Sequence, residues 1–151
     1  MWIGIVLISS CATKKDQILF QGLNESLQAE VSYTPRKIQV NEQFQLDTAA
    51  LRTQIEADLQ AGFLPFCLVG TAGTVNTGAI DPMAELLEIS KEYGLWFHVD
   101  GAYGALAKLD PIYAPALKAI EEADSLAFDL HKWLYVPYEV GCTLIRDAKK
   151  H

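Results

Sequence analysis

Basic residues are scarce in this chain. Twelve Lys and Arg stand against nineteen Asp and Glu in 151 residues, a net charge of −7, and the isoelectric point is near 4.8. Neutralising nucleic-acid phosphates takes clustered Lys and Arg, so this balance argues against a nucleic-acid partner. Charges of both signs are scattered along the chain, which describes a solvated surface rather than a code for a partner. Cysteine is scarce as well. Cys11, Cys67 and Cys142 lie far apart, are odd in number and form no Cys-x-x-Cys pair. That pattern speaks against a disulfide framework or a zinc site, and reads as reduced, buried thiols of a cytoplasmic protein. Internal repeats and low-complexity linkers are lacking.

The N-terminal apolar run, Met1 to Ile8, is too short to span a membrane, and no basic n-region precedes it as a signal peptide requires. Ile8-Ser9-Ser10-Cys11 has the loose pattern of a lipoprotein cleavage site. A buried strand, or the arbitrary start of a truncated chain, fits the run better. Half of the residues are hydrophobic, enough for one globular domain with a sizeable core.

From there the chain alternates strand and helix. Lys37 to Val40 has strand character. Asp47 is placed to cap a helix running through Leu51, Ile55 and Leu59, with Gly62 ending it. Pro65 to Val69 is a short continuous apolar run, as in a strand buried on both faces. Thr71 to Ile80, rich in Gly and Thr, is a loop. Asp81 and Pro82 then open a helix with apolar positions at Met83, Leu86, Leu87 and Tyr93, closed by Gly94. Leu95 to Val99 is another buried strand, Pro115 to Ala123 a short helix, and Ser125 to Phe128 and Cys142 to Ile145 two further strands. This alternation predicts an α/β fold, a mostly parallel sheet with flanking helices.

Ligands of open parallel sheets bind just beyond the carboxyl ends of the strands. Three of the expected strand ends carry unusual residues. One runs into Gly70-Thr71-Ala72-Gly73-Thr74, the next ends at Asp100-Gly101-Ala102-Tyr103-Gly104, and the third at Asp129-Leu130-His131-Lys132-Trp133. A lysine delivered by a buried strand suits an amine that must lose its proton and react with a carbonyl. A carboxylate set against a ring nitrogen, together with an amine able to form an imine, is what pyridoxal phosphate requires.

His98-Val99-Asp100-Gly101-Ala102-Tyr103-Gly104 followed by Asp129-Leu130-His131-Lys132-Trp133 resembles the group II pyridoxal-phosphate-dependent amino acid decarboxylases, which act on aromatic amino acids, glutamate, histidine or tyrosine. Gly70 to Pro82 is similar to the family segment upstream of the aspartate, and the likeness runs in order over roughly residues 36 to 147. The resemblance implies a partial large domain of fold type I, like that of aspartate aminotransferase. It implies that Lys132 forms the Schiff base with pyridoxal 5'-phosphate and that Asp100 pairs with the pyridinium nitrogen. Ala102 would pack its methyl on one face of the ring, and His131 would lie near the phosphate. Thr74 would place a hydroxyl near the ring, although Val75 stands where several family members have a second threonine. Asp129 stands where some members carry asparagine near the phosphate; a structural role for its carboxylate is the other reading.

The activity so implied is carboxy-lyase chemistry, conversion of an L-amino acid to its amine, in an enzyme that is a homodimer at full length. Residues 1–35 match neither the family's phosphate-binding Ser/Gly loop nor its ring-stacking histidine, and no small C-terminal domain follows. Residues 36–151 therefore correspond to the central part of the cofactor-binding large domain, and the expectation is a fragment with little or no turnover. Other readings stay open. His98 and Asp100, two apart, could share a strand face and bind a metal, but no third ligand has suitable spacing. Asp100 alone could cap the next segment, and Lys132 alone could be a helix-end cation paired with Glu139. Trp96, Tyr103, Phe128 and Trp133 could be core, and the Gly/Thr loop only a turn. The alternatives at the level of function are another fold type I enzyme, an aminotransferase or desulfurase, or a non-catalytic fragment.

Overall fold

The computed structural model describes residues 6–10 and 33–150. The described residues form one six-stranded sheet in the order β2-β1-β3-β4-β5-β6. The strands are β1 (Val6–Ser10), β2 (Tyr33–Lys37), β3 (Leu64–Thr71), β4 (Trp96–Asp100), β5 (Ser125–Asp129) and β6 (Gly141–Ile145). Helices α1 (Thr48–Gln60) and α2 (Met83–Tyr93) and the single turn α3 (Leu130–Trp133) complete the framework.

The α/β class holds, with parallel pairing confined to the centre. β3–β4 and β4–β5 are parallel, whereas β1–β2, β1–β3 and β5–β6 are antiparallel. Connection length explains the change of direction. α2 gives the long crossover that a parallel pair needs. Between α3 and β6 lie only residues 134–140, enough to turn back but not to cross over.

Local chemistry sets most element ends. The Asp47 carboxylate accepts from Ala49 N and Ala50 N, at 2.9 and 3.0 Å, and so caps α1. Gly94 closes α2 in the left-handed conformation at φ 68°, where a Cβ is costly. Two boundaries differ from the sequence reading. The segment 115–123 winds into a 3₁₀ turn at Lys118–Glu122 rather than an α-helix. The strand expected at Lys37–Val40 ends at Lys37, with Val40 only bridged to Leu46.

Asp81 is the instructive correction. It does not cap α2, whose N-cap is Pro82 without a side-chain bond. Its carboxylate, 3% exposed, accepts from Leu46 N at 2.8 Å and from Thr71 N at 2.7 Å. One side chain thus ties the entry of α1 to the end of β3. Asp58 on α1 is buried in the same manner, held by the Arg36 Nε at 3.1 Å.

The core lies on one face of the sheet. Phe97 and Val99 of β4 and Leu68 of β3 pack under α1 and α2 with Leu51, Ile55, Met83, Leu86 and Ile89. Alternation along the strands sends Trp96, His98 and Asp100 to the other face, which is half-buried to exposed.

Candidate active site

Register brings the strand ends together. Thr71 pairs with Asp100, and Asp100 with Ala127. Asp129 lies two residues beyond Ala127, on the same face as Asp100. Asp100 and the start of α3 therefore meet at the carboxyl edge of the three parallel strands.

Glycine makes that edge compact. Gly101 N donates to Ala127 O at 2.8 Å, and a Cβ built on Gly101 would come within 2.3 Å of the Ala105 Cβ. Gly73 and Gly104 touch backbone to backbone: a Cβ on Gly73 would sit 2.9 Å from the Gly104 Cα, and Gly73 itself has φ 82°. The Gly/Thr loop after β3 is thereby locked onto the turn after β4. Ala72 N adds a bond to Asp100 O at 2.8 Å. On the other side, the Tyr103 and Trp133 rings meet edge to face, centroids 5.8 Å apart, and join the turn after β4 to α3.

Within this frame Asp100 is exposed, and its Oδ1 accepts from Ala102 N at 3.1 Å. The aspartate thus turns the chain as an Asx turn while presenting its carboxylate, and Ala102 is held beside it. Lys132 Nζ lies 2.6 Å from Asp129 Oδ2; this partner replaces Glu139, which the reading of Lys132 as a helix-end cation had suggested. The Lys132 bond holds the Asp129 carboxyl below its ordinary range. His131 Nδ1 lies 3.1 Å from Val140 N and 3.3 Å from Val140 O, which fixes the ring against the start of β6, and its Nε2 is 4.0 Å from Asp129 Oδ2. Thr74 is 7% exposed, and its hydroxyl shares a 2.6 Å hydrogen bond with Thr77. Lys132, Asp100, Ala102 and His131 are brought to one edge, with Thr74 beside it in the locked loop.

Three residues carry more than their sequence context suggested. Ser125 Oγ, buried, accepts from Trp96 Nε1 at 2.7 Å and lies 2.7 Å from His98 Nδ1. Burial lowers the His98 imidazole, and the nearby Asp100 charge acts in the opposite direction. The His98–Asp100 metal reading finds no support: among the described residues no group of three His, Cys, Asp or Glu is placed to hold an ion. A concavity of about 440 Å³ between Gln45, Ile80, Pro82 and Pro115 has no lysine or histidine in its lining.

An α/β sheet with an amine and a carboxylate at the carboxyl edge of its parallel strands is the arrangement of a partial fold type I pyridoxal-phosphate domain. Comparison with solved structures agrees. Tryptophan decarboxylase of Catharanthus roseus in complex with L-tryptophan superposes with a TM-score of 0.69 at 38% identity, over 73% of this chain and 24% of that one. The family model described as the pyridoxal-dependent decarboxylase conserved domain matches residues 25–151. The chain belongs to that family, whose cofactor is pyridoxal phosphate. Aromatic-L-amino-acid decarboxylase of Bacillus atrophaeus is 42% identical over 113 residues, 75% of this chain and 24% of that protein. L-tyrosine/L-DOPA decarboxylase 2 of Lophophora williamsii is 40% identical over 104 residues, 69% of this chain and 20% of that protein. The chain thus spans between a fifth and a quarter of the length of these relatives.

Proposed function

We propose that this chain is the cofactor-carrying core of a carboxy-lyase that converts an L-amino acid to its amine, residues 36–151 being the central part of the large domain. The observation that carries this reading is the convergence of Lys132 and Asp100 on one sheet edge, with a small residue, Ala102, between them in the chain. The donor set fits pyridoxal phosphate: a primary amine for the aldehyde, a carboxylate for the ring nitrogen, and a methyl rather than a bulky side chain beside it. When bound, that cofactor supplies an electron sink for the bond to the substrate Cα that breaks.

The chain's own residues do the rest. Lys132 would hold the cofactor through Nζ. Asp100, anchored by Ala102 N, would keep a proton on the ring nitrogen. Ala102 would pack against the ring face, and His131 would lie near the phosphate. Thr74 would offer its hydroxyl from the locked loop. Asp129 has a different task. It holds the Lys132 ammonium, so Nζ must leave this partner and lose a proton to solvent before it reacts.

The substrate is an L-amino acid, and aromatic ones are the first to assay because the similar proteins above are named for them. The partner is a second copy of the chain; a run of exposed apolar side chains, Trp133, Leu134, Tyr135 and Tyr138, follows Lys132 directly. A cytoplasmic setting agrees with Cys67 and Cys142 as free thiols. Among the described residues no helix is long and apolar enough to cross a membrane.

The test is direct. Pyridoxal phosphate is titrated into the chain, the imine absorbance is followed, and borohydride is added before peptide mapping. The expected result is cofactor fixed at Lys132 and absent in Lys132→Ala. Label on another lysine, or retained by the variant, refutes the assignment.

A further inference from the structure

Behind Asp100 lies a hydrogen-bonded row that the proposed chemistry has not used. Trp96 and His98 lie on the same face of β4 as Asp100, and His98 pairs in register with Ser125 of β5. An indole nitrogen only donates, so Ser125 Oγ is the acceptor in its 2.7 Å contact with Trp96 Nε1. The Ser125 hydroxyl proton is then available for His98 Nδ1, also at 2.7 Å. The alternative gives Ser125 two incoming donors and leaves its buried hydroxyl proton without use in this row. An unused buried donor is unfavourable.

We propose that Ser125 and His98 form a positioning relay for Asp100: the serine hydroxyl donates to His98 Nδ1 and fixes the ring as the Nε2–H tautomer, whose dipole, on the strand face shared with Asp100, orients that carboxylate. Burial lowers the His98 imidazole, against the opposing pull of the Asp100 charge, and so favours the neutral ring, an oriented dipole rather than a second charge. Ser125, on a neighbouring strand and without contact to the reacting atoms, thereby influences how well Asp100 holds a proton on a ring nitrogen. The inference rests on the cofactor reading above for its consequence, but not for the tautomer.

Two measurements on the 151-residue chain test it. In the first, nitrogen-15 spectra of the imidazoles read the tautomer without cofactor, with His98→Gln identifying the resonance. Nδ1 of His98 should be unprotonated in the native chain, and Ser125→Ala should give a mixture of tautomers while Ser125→Thr, which keeps the hydroxyl, restores one. A protonated Nδ1, or a tautomer indifferent to Ser125→Ala, overturns the relay. In the second, binding of pyridoxal phosphate is compared with that of its 1-deaza analogue, in which carbon replaces the ring nitrogen. Ser125→Ala should weaken the natural cofactor by roughly fivefold, the scale of one hydrogen bond, and leave the analogue unchanged. Equal loss for both ligands, or loss for neither, removes the role in positioning Asp100. Failure of the native chain to bind either ligand with the tautomer fixed instead refutes the cofactor reading, and takes the functional part of the relay with it.

Discussion

Asp129 and Asp81 are two carboxylates with opposite electrostatic circumstances, and they respond to pH in opposite directions. Asp129 is lowered by its bond to Lys132. Its contribution to stability is present above the unfolded carboxyl pKa, about 3.9, and is lost as pH falls through the lowered folded value. Asp81 is raised, by burial first, although its bonds from Leu46 and Thr71 oppose the shift. Its contribution is present below the unfolded pKa and declines as pH rises through the raised folded value. Removing the Asp81 carboxylate leaves two backbone N–H groups unpaired, so Asp81→Ala should cost about 2–3 kcal/mol in urea unfolding. A loss within 0.5 kcal/mol, the range of an ordinary surface change, would deny Asp81 its anchoring role. Asp129→Asn should raise the rate of reductive methylation of Lys132 at neutral pH several-fold, because the amine loses its ionic partner at 2.6 Å. Asp100→Asn should leave that rate unchanged yet, at the matching position of a full-length relative, cut carbon dioxide release by roughly tenfold or more, the effect of losing one ionic hydrogen bond.

The elements were legible in the sequence where their signals are local, and not where their partners are distant. Asp47 caps α1 through Ala49 and Ala50, two and three residues away, and Gly94 ends α2 through its own backbone angle. Both follow from residue type and spacing alone. Asp81 has the same residue type in the same apparent position, but its partners are 35 and 10 residues away, and a capping rule sees only neighbours. Asp58, buried on α1 by Arg36, misled the helical pattern in the same way, while Leu59 is exposed. The candidate site was readable as three motifs at strand ends. The Lys132–Asp129 bond and the Trp96–Ser125–His98 row depend on register and side-chain direction, which a single sequence does not display. Two substitutions check this division. Asp47→Ala should cost about 1 kcal/mol, a lost cap, and Gly94→Ala about 1 kcal/mol, since nothing lies within 4 Å of the added Cβ and only the positive φ is strained. If Gly94→Ala proved neutral in chemical denaturation, the left-handed end of α2 would be wrong.

The molecule as a whole is one-sided. One face of the central strands is sealed under α1 and α2, with Phe97, Leu68 and Val99 fully buried. The far side of the site edge is different: Trp133, Leu134, Tyr135 and Tyr138 lie exposed within one short stretch, Tyr135 at 89%. Tyr135 also takes a positive φ of 54° without being glycine, a conformation that costs about 1–2 kcal/mol and projects the ring outward beside the Lys132 turn. Contiguous exposed apolar surface of this kind marks an association site, and a twofold contact places the same patch on both partners. Sedimentation of the chain should therefore show a concentration-dependent dimer. The triple variant Leu134→Ser, Tyr135→Ser and Tyr138→Ser should remain monomeric at the same concentrations, with its circular dichroism intact, because none of the three side chains belongs to the buried cluster. Each lost apolar contact area lowers association by about 25 cal/mol per Å² removed from water, so the effect should be large and independent of salt, unlike that of an ion pair. A native chain that sediments as a monomer at every concentration would refute a second copy as the partner, and a variant that still dimerises would show that this aromatic stretch does not hold it.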